Sequence, residues 1–263
     1  MRWGLVADVH GNIEALDAVL KALDEGGVDR IICLGDLVGF NAASDACIAR
    51  LRDRNATVVA GNHDLIAIAR LGFERCGPKP AFALRRTRRT LADVSKTYLA
   101  TLPLHLSLPE GVVLFHGSFN DAQEYLRTPR ALSESARLAQ TFAPNVHACF
   151  FGHTHDPVAV HVRNDEVVPL PTTPSCRWAN LGGVVLINPG SVDGARRDEK
   201  VAQFALFDPE AKEVIFRAVP YDHQASERRA IQEGYRMSQL RMAALKLRRR
   251  IGRLRARVMG RTP

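Results

Sequence analysis

No stretch of about 18 consecutive apolar residues occurs in the chain, so no segment reads as a membrane-spanning helix. A cleavable leader is not expected either, because the first apolar segment already ends in the polar pair Asp8 and His10, which cleavage would remove. Cysteine is scarce. The five residues Cys33, Cys47, Cys76, Cys149 and Cys176 are an odd number without a Cys-x-x-Cys pair, which argues against a disulfide framework or a zinc finger. Internal repeats and low-complexity tracts are absent as well. These absences together suggest a globular protein of the reducing cytoplasm.

What is present fits that class. The 263 residues are 46% hydrophobic and 24% charged, enough to bury a full core. The net charge of +8 is unevenly spread: residues 227 to 263 hold twelve Lys or Arg against two acids, so the rest of the chain is mildly acidic. This suggests a main domain over residues 1–222 and a basic helical tail over 223–263.

Through the first seventy residues apolar runs alternate with amphipathic stretches. Arg2 to Ala7, Arg30 to Leu34 and Thr57 to Ala60 read as strands. Asn12 to Leu23, with Ile13, Leu16, Leu20 and Leu23 at helical spacing, and Ser44 to Arg54, with Ser44 as its cap, read as helices. Such alternation predicts right-handed crossovers and a largely parallel sheet. Residues 64–103 read as a helical, arginine-rich cap (Arg85, Arg86, Arg88, Arg89), which either meets a polyanionic substrate or is a solvated helix face. Beyond it, seven short strands are predicted, many without intervening helices, and residues 169–174 read as a surface loop. The fold expected is α/β, a two-sheet β-sandwich flanked by helices, with a C-terminal basic helix.

Polar clusters close the apolar runs. They are Asp8 and His10 after the first strand, Asp36 after the second, Asn62, His63 and Asp64 after the third, His116 in VLFHG, and His153 and His155 in CFFGHTH. In a strand, residues two apart share a face, so Asp8 and His10 want a common partner. Mixed oxygen and imidazole donors suit Mn, Fe, Zn, Ni or Co, and there are more of them than one ion needs. Two divalent ions sharing a carboxylate would use the set, acidify a water and screen a phosphate. His105, His147, His161 and His223 lie outside any cluster and read as structural or solvated.

The order DxH, GD, GNHD, H, GHTH resembles the calcineurin-like metallophosphoesterase superfamily from Asp8 to His155. His10-Gly11-Asn12, Gly35-Asp36-Leu37-Val38-Gly39 and Asn188-Pro189-Gly190-Ser191 make it most similar to the small diadenosine tetraphosphatase-like phosphoesterases. The resemblance implies that Asp8, His10 and His155 bind one metal, that Asn62, His116 and His153 bind the other, and that Asp36 bridges; Mn²⁺ is the first choice. His63 would protonate the leaving oxygen or stabilise the transition state, with Asp64 orienting it. Asn12, Arg196 and Arg197 are candidate substrate contacts. The protein serine/threonine phosphatases and the symmetric dinucleoside tetraphosphatases carry an arginine shortly after GD, and the former also one before GNH; Leu37-Val38-Gly39-Phe40 and Ala60 stand at those places here, which argues against a phosphoprotein phosphatase of that branch.

The expected activity is dinuclear metal-dependent hydrolysis of phosphate mono- or diesters, with small nucleotide-like substrates first. An RNA or DNA phosphodiesterase using the tail and a scaffold without turnover are the alternatives. The tail's apolar positions Met237, Leu240, Ala244, Leu247, Ile251, Leu254 and Val258 alternate spacings of three and four. Four roles stay open for it: a homodimer seam, docking on the body, anionic lipid, or nucleic-acid phosphates.

Overall fold

The computed structural model describes residues 1–173, 175–194 and 199–238. The chain opens with β1 (Trp3–Val6), α1 (Ile13–Glu25), β2 (Arg30–Cys33), α2 (Ser44–Asp53) and β3 (Thr57–Val58). Three helices follow, α3 (Asn62–Ala67), α4 (Pro78–Thr90) and α5 (Asp93–Thr101), then the hairpin β4 (Leu106–Leu108) and β5 (Val112–Leu114), α6 (Pro129–Phe142) and β6 (Ala148–Phe150). The last part is mostly strands: β7 (Val158–Arg163), β8 (Glu166–Pro169), β9 (Cys176–Arg177), β10 (Val184–Asn188), β11 (Val201–Asp208) and β12 (Glu213–Pro220). It ends in α7 (His223–Gln232).

Two six-stranded mixed sheets result, ordered β3-β2-β1-β11-β12-β9 and β4-β5-β6-β10-β7-β8. The expected helix-flanked sandwich is therefore present, with α7 as its C-terminal helix. Strand periodicity builds its layers: alternate residues Trp3, Leu5 and Ala7 join Ile32, Phe150, Ile187 and Phe207 in the cluster between the sheets, while Val6 and Cys33 face the opposite way, into the cluster holding Leu16, Leu20 and Ile48. On the outer face of the second sheet, Leu132 and Ala136 of α6 pack with Val113, Phe151 and Leu186. At about 1.5–3 kcal/mol per fully buried large apolar side chain, these three clusters dominate the stabilising side of the fold.

Local chemistry sets the helix starts. Asn12 caps α1 by accepting from Ala15 N at 3.2 Å, Thr128 caps α6 before Pro129, and Asp222 caps α7. Ser44 corrects the expectation: Ala43 is the cap of α2, and Ser44 is a buried first-turn residue without a capping bond. The helical stretch expected over 64–103 is built of three helices, with residues 68–77 between α3 and α4 irregular.

In the first sheet β1, β2 and β3 are parallel, and in the second β5, β6 and β10 are parallel. Loops leaving the carboxyl ends of these strands are thereby gathered, which is where sites form in such sheets. Residues 223–236 pack on the body through Arg229 against Glu14 and through Ala230 and Tyr235 against Ala83. The expected tail seam lies outside the described residues from position 239 onward. No helix among the described residues is long and apolar enough to cross a membrane.

Candidate metal centre

Five strand ends supply the seven expected ligands. Asp8 and His10 follow β1, Asp36 follows β2, Asn62 opens α3 just after β3, His116 follows β5, and His153 and His155 follow β6. All are buried except His155, which is partly exposed. Asp8, His10, Asp36, His153 and His155 adopt left-handed backbone, with φ between 52° and 64°. Each such residue costs on the order of 1–3 kcal/mol, so the surrounding contacts must hold the loops in place.

Those contacts are visible. Asp8 N donates to Gly35 O at 3.1 Å, His10 N to Asp36 O at 2.8 Å, and Gly152 N to His116 O at 2.8 Å. Buried Asp64 accepts from the backbone N–H groups of Asp36, Leu37, Val38 and Gly61 at 2.9–3.2 Å, fastening the loop after β2 to the loop after β3. Gly61 is required there, because a Cβ would strike the Asp36 backbone and carboxylate.

A second brace comes from the NPGS segment. Asn188 donates to Gly152 O at 2.6 Å and Ser191 Oγ to Asp8 O at 3.1 Å. Asn12, one of the candidate substrate contacts, is fully buried and donates to Asp193 Oδ1 at 2.8 Å while capping α1. Both polar atoms of the Asn12 amide are thus engaged within the protein. Arg196 and Arg197 lie outside the described residues.

The donor atoms converge as three groups, each within 4.8 Å: Asp8, His10 and His155; His10, Asp36 and His63; and Asp36, His116 and His153. Asp36 Oδ2 lies 3.7 Å from His10 Nε2 and 3.4 Å from His116 Nε2, between the outer two groups. Asp8 Oδ1 lies 3.2 Å from His155 Nε2.

This geometry fits divalent cations. His10 and His116 each direct Nδ1 at a backbone carbonyl, of Val38 at 3.2 Å and Leu34 at 2.6 Å, which turns their Nε2 atoms inward. His116 Nε2 faces Asn62 Oδ1 at 3.1 Å, and His10 Nε2 faces His155 Nε2 at the same distance. Facing acceptors repel unless a proton or a metal cation lies between them. His153 Nε2 is buried without a hydrogen-bond partner among the described residues. The two outer His/Asp clusters have the donor chemistry of a dinuclear divalent-metal site.

Electrostatics follow the same layout. Burial opposes charge on His116, but the Asp36 carboxylate outweighs it and the imidazole is pushed up to about 9. Burial also opposes ionisation of Asp36, and the neighbouring His116, His63 and His10 hold it well below the usual carboxylate range. His153 is lowered to about 4, first by burial and then by His116. Asp64 is raised to about 7 by burial and then by Asp36, against the pull of its N–H donors.

The site opens into a cleft, continuous with solvent, whose walls include His63, Phe40, Arg75 and Tyr125. The His63 ring packs 4.5 Å from His10 and 4.9 Å from Phe40. Tyr125 stacks on His153 at 4.1 Å, under the Arg127 guanidinium. None of the Phe40, Arg75 and Tyr125 positions was singled out from the sequence for the cleft. The arginines at 85 and 88 instead lie over Phe73, 4.7 and 4.6 Å from its ring, and Arg88 also bonds the backbone oxygen of Ile66. His147 is held by Glu110 O and Trp178, in a structural setting.

A profile of the calcineurin-like phosphoesterase superfamily domain matches residues 1–212. The chain belongs to this superfamily. Among curated proteins it is 28% identical over 223 residues to the uncharacterised protein MJ0912 of Methanocaldococcus jannaschii, covering 83% of this chain and 87% of the relative. A metallophosphoesterase from Sphaerobacter thermophilus is similar in structure, with a TM-score of 0.73 and 30% identity over 89% of this chain and 94% of that one. PH1004 of Pyrococcus horikoshii shares the fold with a TM-score of 0.68 at 20% identity, over 89% and 94% of the two chains. For a calcineurin-like phosphoesterase, clustered His and Asp donors at the strand ends support hydrolase activity in general.

Proposed function

We propose that this protein is a dinuclear metal-dependent hydrolase of phosphate mono- or diesters, with small nucleotide-like esters as substrates and Mn²⁺ as the first-choice ion. The observation that carries it is Asp36 Oδ2 between His10 Nε2 and His116 Nε2, one from each outer donor group. In this proposal Asp8, His10 and His155 hold one ion, Asn62, His116 and His153 hold the other, and Asp36 bridges them. When bound, the ions would supply an acidified water and a positive seat for the phosphate.

The chain's own groups do the rest. His63 is held by its backbone N–H to Asp36 Oδ1 at 2.8 Å, and its Nδ1 is buried against Gly39. Its Nε2 is therefore the nitrogen proposed to give a proton to the leaving oxygen in the cleft. Asp64 is proposed as a positioning residue: it fixes the loop that carries His63 through its four backbone bonds. The HGN, GD-Leu-Val-Gly and NPGS segments favour the diadenosine tetraphosphatase-like branch, whose substrates are nucleotide-like.

Turnover of bis-p-nitrophenyl phosphate with added Mn²⁺ tests the proposal. His63→Ala should lower kcat by about 10²–10⁴-fold while bound metal, measured by elemental analysis, stays at the wild-type level. Absence of turnover in the metal-loaded wild type would leave the scaffold alternative standing.

A second reading, hydrolysis of nucleic acid, is favoured by one observation. Arg236, the last charged residue of the basic tail among the described residues, bonds Phe40 O on the wall of the cleft. Deleting residues 237–263 should then abolish salt-sensitive oligonucleotide binding.

A further inference from the structure

Arg75 sits in the irregular segment between α3 and α4 and lines the cleft with Asp36 and His63. It is the only Lys or Arg on the cleft wall among the described residues. Its guanidinium is held in place from across the cleft: Nη1 pairs with Asp121, and Nη2 donates to Gln123 O at 3.1 Å. Both partners belong to the loop that leaves β5 through His116, so the arginine is tied to the same segment that carries a metal-site donor.

That tie does little for stability, because the Arg75 and Asp121 side chains are 51% and 38% exposed and solvent screens pairs of this kind. What the tie does fix is orientation. A guanidinium has five N–H donors in a planar fork, and two are engaged by Asp121 and Gln123. The remaining three are available for a phosphate, the oxyanion that such a fork matches bidentately. Asp121 offsets part of the charge, yet an oriented fork at the edge of an otherwise carboxylate-poor cleft still favours an anion; Asp36 is the only carboxylate on its wall among the described residues. Gly77 and Pro80, at the start of α4, stand on the same wall, and the positive end of that helix acts in the same sense.

We infer that Arg75 forms a subsite for a second phosphate, so that the site prefers substrates with an anionic group next to the phosphate at the metals, as in nucleoside diphosphates. The inference rests on the phosphoesterase proposal for the same cleft and adds the substrate feature that Arg75 reads.

The test is a binding ratio on the Mn²⁺-loaded protein. Calorimetry compares the α,β-methylene analogue of adenosine diphosphate with adenosine monophosphate, for wild type, Arg75→Ala and Arg75→Lys. The wild type should favour the diphosphate, Arg75→Ala should reduce that preference at least tenfold, or about 1.4 kcal/mol, and Arg75→Lys should keep part of it. A structural role would weaken both ligands alike and leave the ratio where it was. No diphosphate preference in the wild type, or an unaltered ratio in Arg75→Ala, overturns the subsite. Turnover of bis-p-nitrophenyl phosphate is scored separately, so a binding site without catalysis is distinguishable from catalysis without this subsite.

Discussion

Arg236 donates from Nη1 to the backbone oxygen of Phe40 at 2.8 Å, across 196 positions of sequence. The same guanidinium reaches Asn41 Oδ1 at 2.9 Å and Glu227 Oε2 at 2.7 Å. The C-terminal segment thereby clamps the loop whose Phe40 ring packs 4.6 Å from His10. Arg236→Ala should cost about 1–2 kcal/mol, which lowers Tm by about 2–8 °C in thermal unfolding. Arg236→Lys should recover only part, since an ammonium lacks the planar fork. An unchanged Tm in Arg236→Ala would rule the clamp out.

Removing bound ions should destabilise the fold as well as stop turnover. A ligand at 100 times its dissociation constant stabilises by about 2.7 kcal/mol, so chelation should lower Tm by about 5–10 °C, and Mn²⁺ should restore it. A Tm indifferent to chelator in protein shown by elemental analysis to have carried metal would contradict this.

Asp64 accepts four backbone N–H bonds while fully buried. Asp64→Asn keeps one acceptor oxygen and turns an NH₂ group toward N–H donors, so it should cost about 3 kcal/mol or more, seen as a lower denaturant midpoint. His63→Ala, by contrast, should unfold near the wild-type midpoint. Equal losses in the two variants would refute the division of labour between positioning and proton transfer.

Metal-free protein should show a stability maximum near neutrality. His116 is pushed up to about 9 by Asp36, so its contribution is complete below the unfolded-state value of about 6.5 and is lost as pH rises through about 9. His153, lowered to about 4 by burial and by His116, contributes fully above about 6.5 and loses that contribution as pH falls toward about 4. Urea midpoints of chelated protein from pH 5 to pH 9 measure both flanks. A midpoint that climbs steadily up to pH 9 would disprove the Asp36–His116 coupling.

Much of the architecture was legible because local patterns and tertiary demands agree. Leu5 and Val6 point to opposite sides of β1 as their alternation requires, and the polar residues that end each strand meet at one rim. Legibility stopped where a contact depends on chain crossing. Arg75 reaches Asp121 over 46 residues and Asn12 reaches Asp193 over 181, and neither spacing carries a periodic signal. Helix α6 lies between two strand segments, and its legible signal is local, the start formed by Thr128 and Pro129. The Ser44 cap was a plausible local pairing that the turn geometry gave to Ala43 instead. Arginines at 85 and 88 were noticed for their charge, but Phe73 takes their planar faces.

Four of the proposed donors, Asp8, His10, Asp36 and Asn62, hang from the first sheet, while His116, His153 and His155 hang from the second. A cation bonded to both sets is a rivet through the two halves of the sandwich, so damage to the shared interior, as at Trp3, would slacken the grip on the ion. Catalytic fitness and mechanical cohesion would then fail together, each reporting on the other.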